Sequence, residues 1–202
     1  MSARLRLETD RLGKVPLTGA VSSEQSGELD LPAPLSTVLT REFLGRAARE
    51  YWRLITRFTL GLIRVLDRGG DQCVVFIAWP LVLLRFHAPS YTLADGAGSV
   101  TWRIKRGILV ARDGRDQGFL QLSIADADGT AGRGRVSVRM EVENFYPWLR
   151  GHGLFARLGV WVYANTQQRI HRFVTRRFLE RVASALAGGG SFRPQGSTSG
   201  SG

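Results

Sequence analysis

Cysteine, histidine and lysine are nearly missing from this chain of 202 residues: it has one cysteine, Cys73, three histidines, and only Lys14 and Lys105 as lysines. A single cysteine excludes an internal disulfide and a Cys-rich zinc site. Its position in the apolar run 73–78 marks it as a small interior hydrophobe. His87, His152 and His171 are too few for a multi-histidine metal centre, so neither a metal nor a cofactor is expected. A P-loop, a dinucleotide glycine fingerprint, HExxH and GxSxG are also absent. Gly132 and Gly134 occupy a turn between strands and do not open a helix, so they make no phosphate cradle. No apolar run reaches the ~20 residues that a membrane-crossing helix needs. The longest, 73–86, is broken by Trp79-Pro80 and reads as two short buried strands or one bent strand. The start of the chain lacks the apolar core of a signal peptide, and Glu8 and Asp10 make it a poor transit peptide. A cytoplasmic protein is therefore expected, with peripheral attachment to a membrane left open.

What the chain does have is enough apolar material for a real core, at 44% hydrophobic and 9% aromatic residues, and a formal charge of +11. The charge is carried almost entirely by arginine and is uneven. From Asn144 onward there are eight arginines against one acid, Glu180, a net of +7. Such a surface attracts anionic lipid head groups or nucleic acid without specifying either. Arg150, Arg157, Arg169, Arg172 and Arg176 are the candidates for an anionic surface. A nucleic-acid reader needs aromatics interleaved with basic residues on one exposed face. Here the aromatics mostly sit at apolar positions, and Glu141 and Glu143 dilute the one strand face that carries Arg103, Lys105, Arg135 and Arg139, so nucleic acid is not favoured.

Three segments follow from the pattern. Residues 1–35 show no sustained period and carry Gly, Ser, Glu and Pro, which predicts a flexible arm. Residues 36–187 form one domain. Ser36 or Thr40 caps a helix through Phe43, Ala47, Tyr51, Leu54 and Ile55, with Arg46, Arg49, Glu50 and Arg53 facing outward. A strand-rich stretch follows, in which Val100-Trp102-Ile104, Leu120-Leu122-Ile124 and Val136-Val138-Met140-Val142 alternate with polar residues. This is the mark of an antiparallel sheet with one wet and one dry side. The dry side needs a cover, and the long helix expected over 154–186 supplies one. At about 100° per residue its Val160, Ile170, Val174, Phe178 and Val182 fall on one face and Arg169, Arg172 and Arg176 on the other. Residues 188–202, rich in Gly and Ser, read as a flexible tail.

Tyr163, Gln167 and His171 share a stripe at four-residue spacing within the apolar arc. A buried amide or imidazole must find a partner, since leaving one unmade costs about 1–3 kcal/mol. Either these side chains tie the helix to the sheet, or they face a cavity.

The order of helix, many antiparallel strands and one long final helix is similar to the START-like helix-grip fold of polyketide cyclases and lipid-transfer domains, the SRPBCC superfamily. The residues that carry the resemblance are Phe145-Tyr146-Pro147, the run Gly153 to Arg157, and a helix with His171 and Phe178-Leu179. Such folds place a strand before the first helix, which here would lie in 29–31 or be absent. The resemblance implies an α+β fold, a curved antiparallel sheet gripping the C-terminal helix. It also implies a cavity between them for a small hydrophobic or amphipathic molecule, with Tyr163, Gln167, His171, Trp102 and Tyr146 as candidate lining. No shared catalytic motif comes with it, so no catalytic residue is assigned. A cyclase-like or hydratase-like use of His171 as general acid or base is the alternative to simple binding or transfer.

Overall fold

The computed structural model describes residues 6–14, 21–31, 34–76, 81–127, 135–145 and 168–192. Two strands come first, β1 (Arg6–Lys14) and β2 (Val21–Asp30), then helix α1 (Arg41–Phe58). Seven strands follow: β3 (Ile63–Arg68), β4 (Asp71–Phe76), β5 (Val82–Phe86), β6 (Ser90–Ala94), β7 (Ala97–Arg106), β8 (Phe119–Asp126) and β9 (Arg135–Phe145). Helix α2 (Gln168–Ala187) ends the described chain's regular structure.

Helix α1 starts where its cap chemistry says it should. Thr40, in extended backbone, accepts a hydrogen bond from the Phe43 N–H at 3.1 Å through its Oγ. Phe43, Leu44, Ala47, Ala48, Tyr51 and Leu54 make the buried stripe. The helix stops at Thr59, whose hydroxyl donates to the Ile55 carbonyl at 2.9 Å and accepts from the Ile63 N–H at 3.1 Å. The chain then turns through Leu60 and Gly61, both at positive φ, into β3. One side chain departs from the expected outward face. Glu50 is buried and ion-paired with Arg181 of α2, because the helix meets another helix on that flank instead of water.

The sheet order is β1-β2-β9-β8-β7-β5-β4-β3, with every neighbouring pair antiparallel. β5 and β6 lie along the same side of β7, Phe86 opposite Ile104 and Ser90 opposite Thr101, so they act as one strand interrupted at 87–89. Gly107 passes so close to the Leu83 backbone that a β-carbon there would collide with the carbonyl. β2, at the start of the chain, pairs with β9, at the end of the strand-rich stretch.

The two N-terminal strands replace the flexible arm expected over 1–35. The sequence Val-Ser-Ser-Glu-Gln-Ser-Gly-Glu-Leu-Asp has no apolar alternation to announce a strand. It is held by its neighbour: β9 would otherwise present an unpaired edge of main-chain donors and acceptors. β2 takes up that edge from Val21↔Phe145 to Asp30↔Arg135. Ion pairs Arg139–Glu24 (3.2 Å) and Arg135–Glu28 (3.6 Å) join the same two strands. The C-terminal end also differs from a tail that begins at 188. Gly189 and Gly190 turn the chain at positive φ, and Phe192 stacks on Phe43 with ring centroids 5.4 Å apart.

The alternating residues sort as their period demands. Val100, Trp102, Ile104, Leu120, Leu122, Ile124, Val136, Val138 and Met140 are buried, whereas Arg103 and Arg139 are exposed. Against this dry face lie both helices, α2 on β2 and β9, and α1 on β3, β6 and β7, with the helices also touching each other. In α2 the residues Val174, Phe178, Leu179, Val182, Ala185 and Leu186 are buried, and Arg176 and Arg177 face water. A curved antiparallel sheet wrapped on its final helix is a helix-grip arrangement, as the sequence pattern led us to expect. Ile170 lies in α2 with its side chain outside the described part, and residues 154–167 of the expected long helix lie outside it altogether.

Two outcomes test this packing. Phe178→Ala should lower unfolding free energy by about 3–5 kcal/mol in denaturant titration, the range for a buried phenylalanine; a loss well under 1 kcal/mol would mean that α2 does not sit on the sheet. Arg181→Met alone should cost about 2 kcal/mol by stranding Glu50, between the values for surface and fully buried pairs. Adding Glu50→Leu should recover most of the loss, and a double variant as unstable as the sum of the singles would show the pair to be uncoupled.

Candidate functional site

Five aromatic side chains from four elements meet where α1, lying on the sheet, also touches α2. Tyr51 and Trp52 are adjacent in α1, yet both are buried, because one flank of the helix meets α2 and the next meets the sheet. Tyr51 lies edge-on to Phe178 of α2 at 5.1 Å between ring centroids and to Trp52 at 5.0 Å. Trp52 lies 5.6 Å from Phe86 of β5 and 5.6 Å, edge-on, from Trp102 of β7. Tyr51 and Trp102 are 6.2 Å apart. Edge-to-face contacts of this kind add to the area term. Burial pushes the Tyr51 phenol well above its ordinary value, so it stays protonated and neutral.

The polar atoms in this apolar setting are the informative part. The indole N–H groups of Trp52 and Trp102 and the hydroxyl of Thr175 are buried and have no hydrogen-bond partner among the described residues. Trp52 is 8% exposed, Trp102 and Thr175 0%. The Gln72 side-chain oxygen is in the same condition. The register sets Gln72 opposite Phe86, which places it on the inner face of β4. Buried Trp N–H and Thr O–H groups ordinarily find partners, and each one left unmade costs about 1–3 kcal/mol. The two indole N–H groups thus belong to the five-ring cluster, Gln72 lies across from Phe86, and Thr175 stands in α2 one turn before Phe178.

Charge is arranged the other way round. Asp71, Arg85 and Lys105 alternate with Gln72, Phe86 and Ile104, so they occupy the opposite face of the sheet. Arg85 and Lys105 donate to the Asp71 carboxylate at 2.7 and 2.9 Å. The bond from Lys105, with that from Arg85, holds the carboxyl below its usual range against the opposing effect of burial. Glu141, on the same outer side, is pushed up by burial and by its neighbour Glu143. Of the basic strand-face residues weighed for nucleic acid, Lys105, Arg135 and Arg139 are all engaged by carboxylates. Among the described residues no group of three or more His, Cys, Asp or Glu could hold a metal ion, and no helix is long and apolar enough to cross a membrane.

Of the residues singled out from sequence, Trp102 stands at the centre of this cluster. Tyr146, Tyr163 and Gln167 lie outside the described residues. His171 belongs to α2, one turn before Thr175, with its side chain outside the description. Arg150 and Arg157 lie outside it, as do the side chains of Arg169 and Arg172. Arg176 is exposed and paired with Glu180 at 3.3 Å, which offsets part of its charge. Sequence reasoning passed over Trp52, Gln72 and Thr175. For Thr175 a signal existed: it is the next four-residue step of the stripe Tyr163, Gln167, His171.

No family model matches the chain, and no curated protein matches it. Solved structures that this chain resembles along most of its length do so at low identity. Norcoclaurine synthase of Thalictrum flavum is 12% identical, over 85% of this chain and 97% of that one, with a TM-score of 0.33. The Zhui aromatase/cyclase of Streptomyces sp. R1128 is 9% identical over 81% and 94%, TM-score 0.33. Human STARD10 is 8% identical over 87% and 73%, TM-score 0.36. Likeness at this level carries no activity across, and the fold rests on the chain's own strand order.

Thr175→Val keeps the shape of the side chain and deletes the unpartnered hydroxyl. It should therefore raise the stability of the ligand-free protein by about 1 kcal/mol in denaturant titration. A fall of similar size would show that the hydroxyl has a partner in solution.

Proposed function

We propose that the protein binds a small apolar or amphipathic molecule between the concave face of its sheet and its two helices, next to Trp52, Trp102 and Thr175. The observation that carries this reading is the set of buried polar atoms without a partner among the described residues, in an aromatic and largely apolar interior. A site of this kind is mostly apolar, with a few polar groups that fix orientation. The stripe Tyr163, Gln167 and His171 supports it from the sequence side, since its next member, Thr175, is fully buried. Binding is better supported than chemistry. None of Trp52, Trp102, Thr175 and Gln72 titrates near neutral pH, so none of them can shuttle a proton in the way a general acid or base must.

Native mass spectrometry of the protein purified from its own host should show a small-molecule adduct that denaturation removes, and the protein should take up an apolar dye that this molecule displaces. Gln167→Leu with His171→Phe should abolish uptake at little cost in stability. Identical native and denatured masses together with no dye uptake would refute the reading. Unchanged uptake in the double variant, with stability lowered by about 1–3 kcal/mol, would remove those two residues from the site and make them ties between helix and sheet.

A further inference from the structure

We infer that the end of the sheet where α1 runs into β3 docks on an anionic lipid surface, with exposed apolar side chains entering the acyl boundary and arginines at the level of the phosphates. The inference concerns the outside of the molecule and does not depend on the binding reading above.

Five of the seven large apolar side chains exposed among the described residues, Leu60, Leu62, Leu81, Ile108 and Phe173, gather at this end. The register places them. Ile63 lies opposite Phe76 and Val75 opposite Val82, so the start of β3, the end of β4 and the start of β5 are neighbours. The Phe76 N–H donates to the Leu81 carbonyl and the Ile108 N–H to that of Val82, both at 3.1 Å, which brings the chain just past β7 alongside. Phe173 of α2 meets Phe58, in the last turn of α1, edge-on at 5.0 Å. Exposed apolar residues that gather in this way mark a surface that something else covers.

Leu60 is the most telling of them. α1 closes in a Schellman turn, the Leu60 N–H on the Arg57 carbonyl at 3.1 Å and the Gly61 N–H on the Thr56 carbonyl at 2.8 Å. The left-handed position of that turn, which glycine ordinarily takes, is held by Leu60 at φ 52°, and Leu60 is 90% exposed. A leucine there is both strained and wet, and no packing within the chain offsets either cost.

Charge complementarity identifies the surface. The stretches 51–66, 81–94, 96–112 and 168–179, whose ends meet here, contain no aspartate or glutamate. Arg57, Arg64 and Arg106 stand within three positions of Leu60, Leu62 and Ile108; all three are exposed and have no carboxylate partner among the described residues. On the outer face of the sheet, by contrast, Arg85, Arg135 and Arg139 are matched by acids. Apolar tips beside unneutralised arginines suit an anionic bilayer, where the tips reach the acyl boundary and the guanidinium groups stay among the phosphates. A protein partner would need a surface shaped to fit these separate turns and strand ends, whereas a fluid bilayer takes them without one.

Flotation of the full chain with vesicles of phosphatidylcholine alone, and of phosphatidylcholine mixed with phosphatidylglycerol, tests this. The chain should float with the mixed vesicles only, and added salt should weaken the association. Leu60→Gly restores the residue that the turn favours, so the variant should melt no lower than the unaltered chain. It should nevertheless lower partition onto the mixed vesicles about tenfold, the size expected for one leucine withdrawn from an apolar layer. Arg57→Gln and Arg64→Gln should each lower it about fivefold. Leu93→Ser, at the opposite end of β7, should leave it unchanged. No binding to either vesicle, or equal binding to both, overturns the inference. Binding that Leu60→Gly does not weaken overturns it too, and assigns the attraction to the overall charge of the chain. A dimer in analytical ultracentrifugation that Leu60→Gly abolishes overturns it by giving this end to a second copy.

Discussion

The rest of the structure depends on two helices sharing one dry sheet face. The inner sides of β7, β8 and β9 form a continuous apolar surface that water cannot be allowed to reach. α2 alone meets β2 and β9, while α1 is needed over β3, β6 and β7. Where the two helices touch, Tyr51, Phe178 and the Glu50–Arg181 pair join them. A helix that touches both another helix and the sheet has two flanks to bury, so Tyr51 and Trp52 can be neighbours in sequence and both lie inside.

The same contact brings the aromatic rings together. An interior packed around aromatic rings is rigid and apolar, and it sets a high energetic cost on any polar atom without a partner. Among the described residues, the indole N–H groups of Trp52 and Trp102 are two such atoms. On the other side of the same strands Asp71, Arg85 and Lys105, or Arg139 and Glu24, satisfy one another. The outer face of the sheet is thus charged, with Asp71, Glu24 and Glu28 paired to basic side chains.

The N-terminal strands show how pairing overrides local pattern. β2 lies beside β9 and under α2, so it completes the grip on the final helix even though its own residues are polar. A strand between two others needs main-chain partners more than apolar side chains, and it gets them from residues over a hundred positions away. The sequence resemblance left room for a strand near 29–31; it gave no sign that pairing would begin at Val21, or that β1 would precede it.

Much of the fold was legible in the chain itself. The alternation of Val100 to Ile104, Leu120 to Ile124 and Val136 to Met140, the Thr40 cap and the apolar face of Val174, Phe178 and Val182 are local, periodic signals, and periodicity is set by backbone geometry alone. The inward position of Trp102 and the stripe leading to Thr175 were legible for the same reason. The partner of Glu50, the pairing of β2 with β9, the neighbours of Trp52 and the unpartnered state of four polar atoms were not. Each depends on what stands across a gap in space, and a one-dimensional sequence carries no record of that distance until the chain has folded.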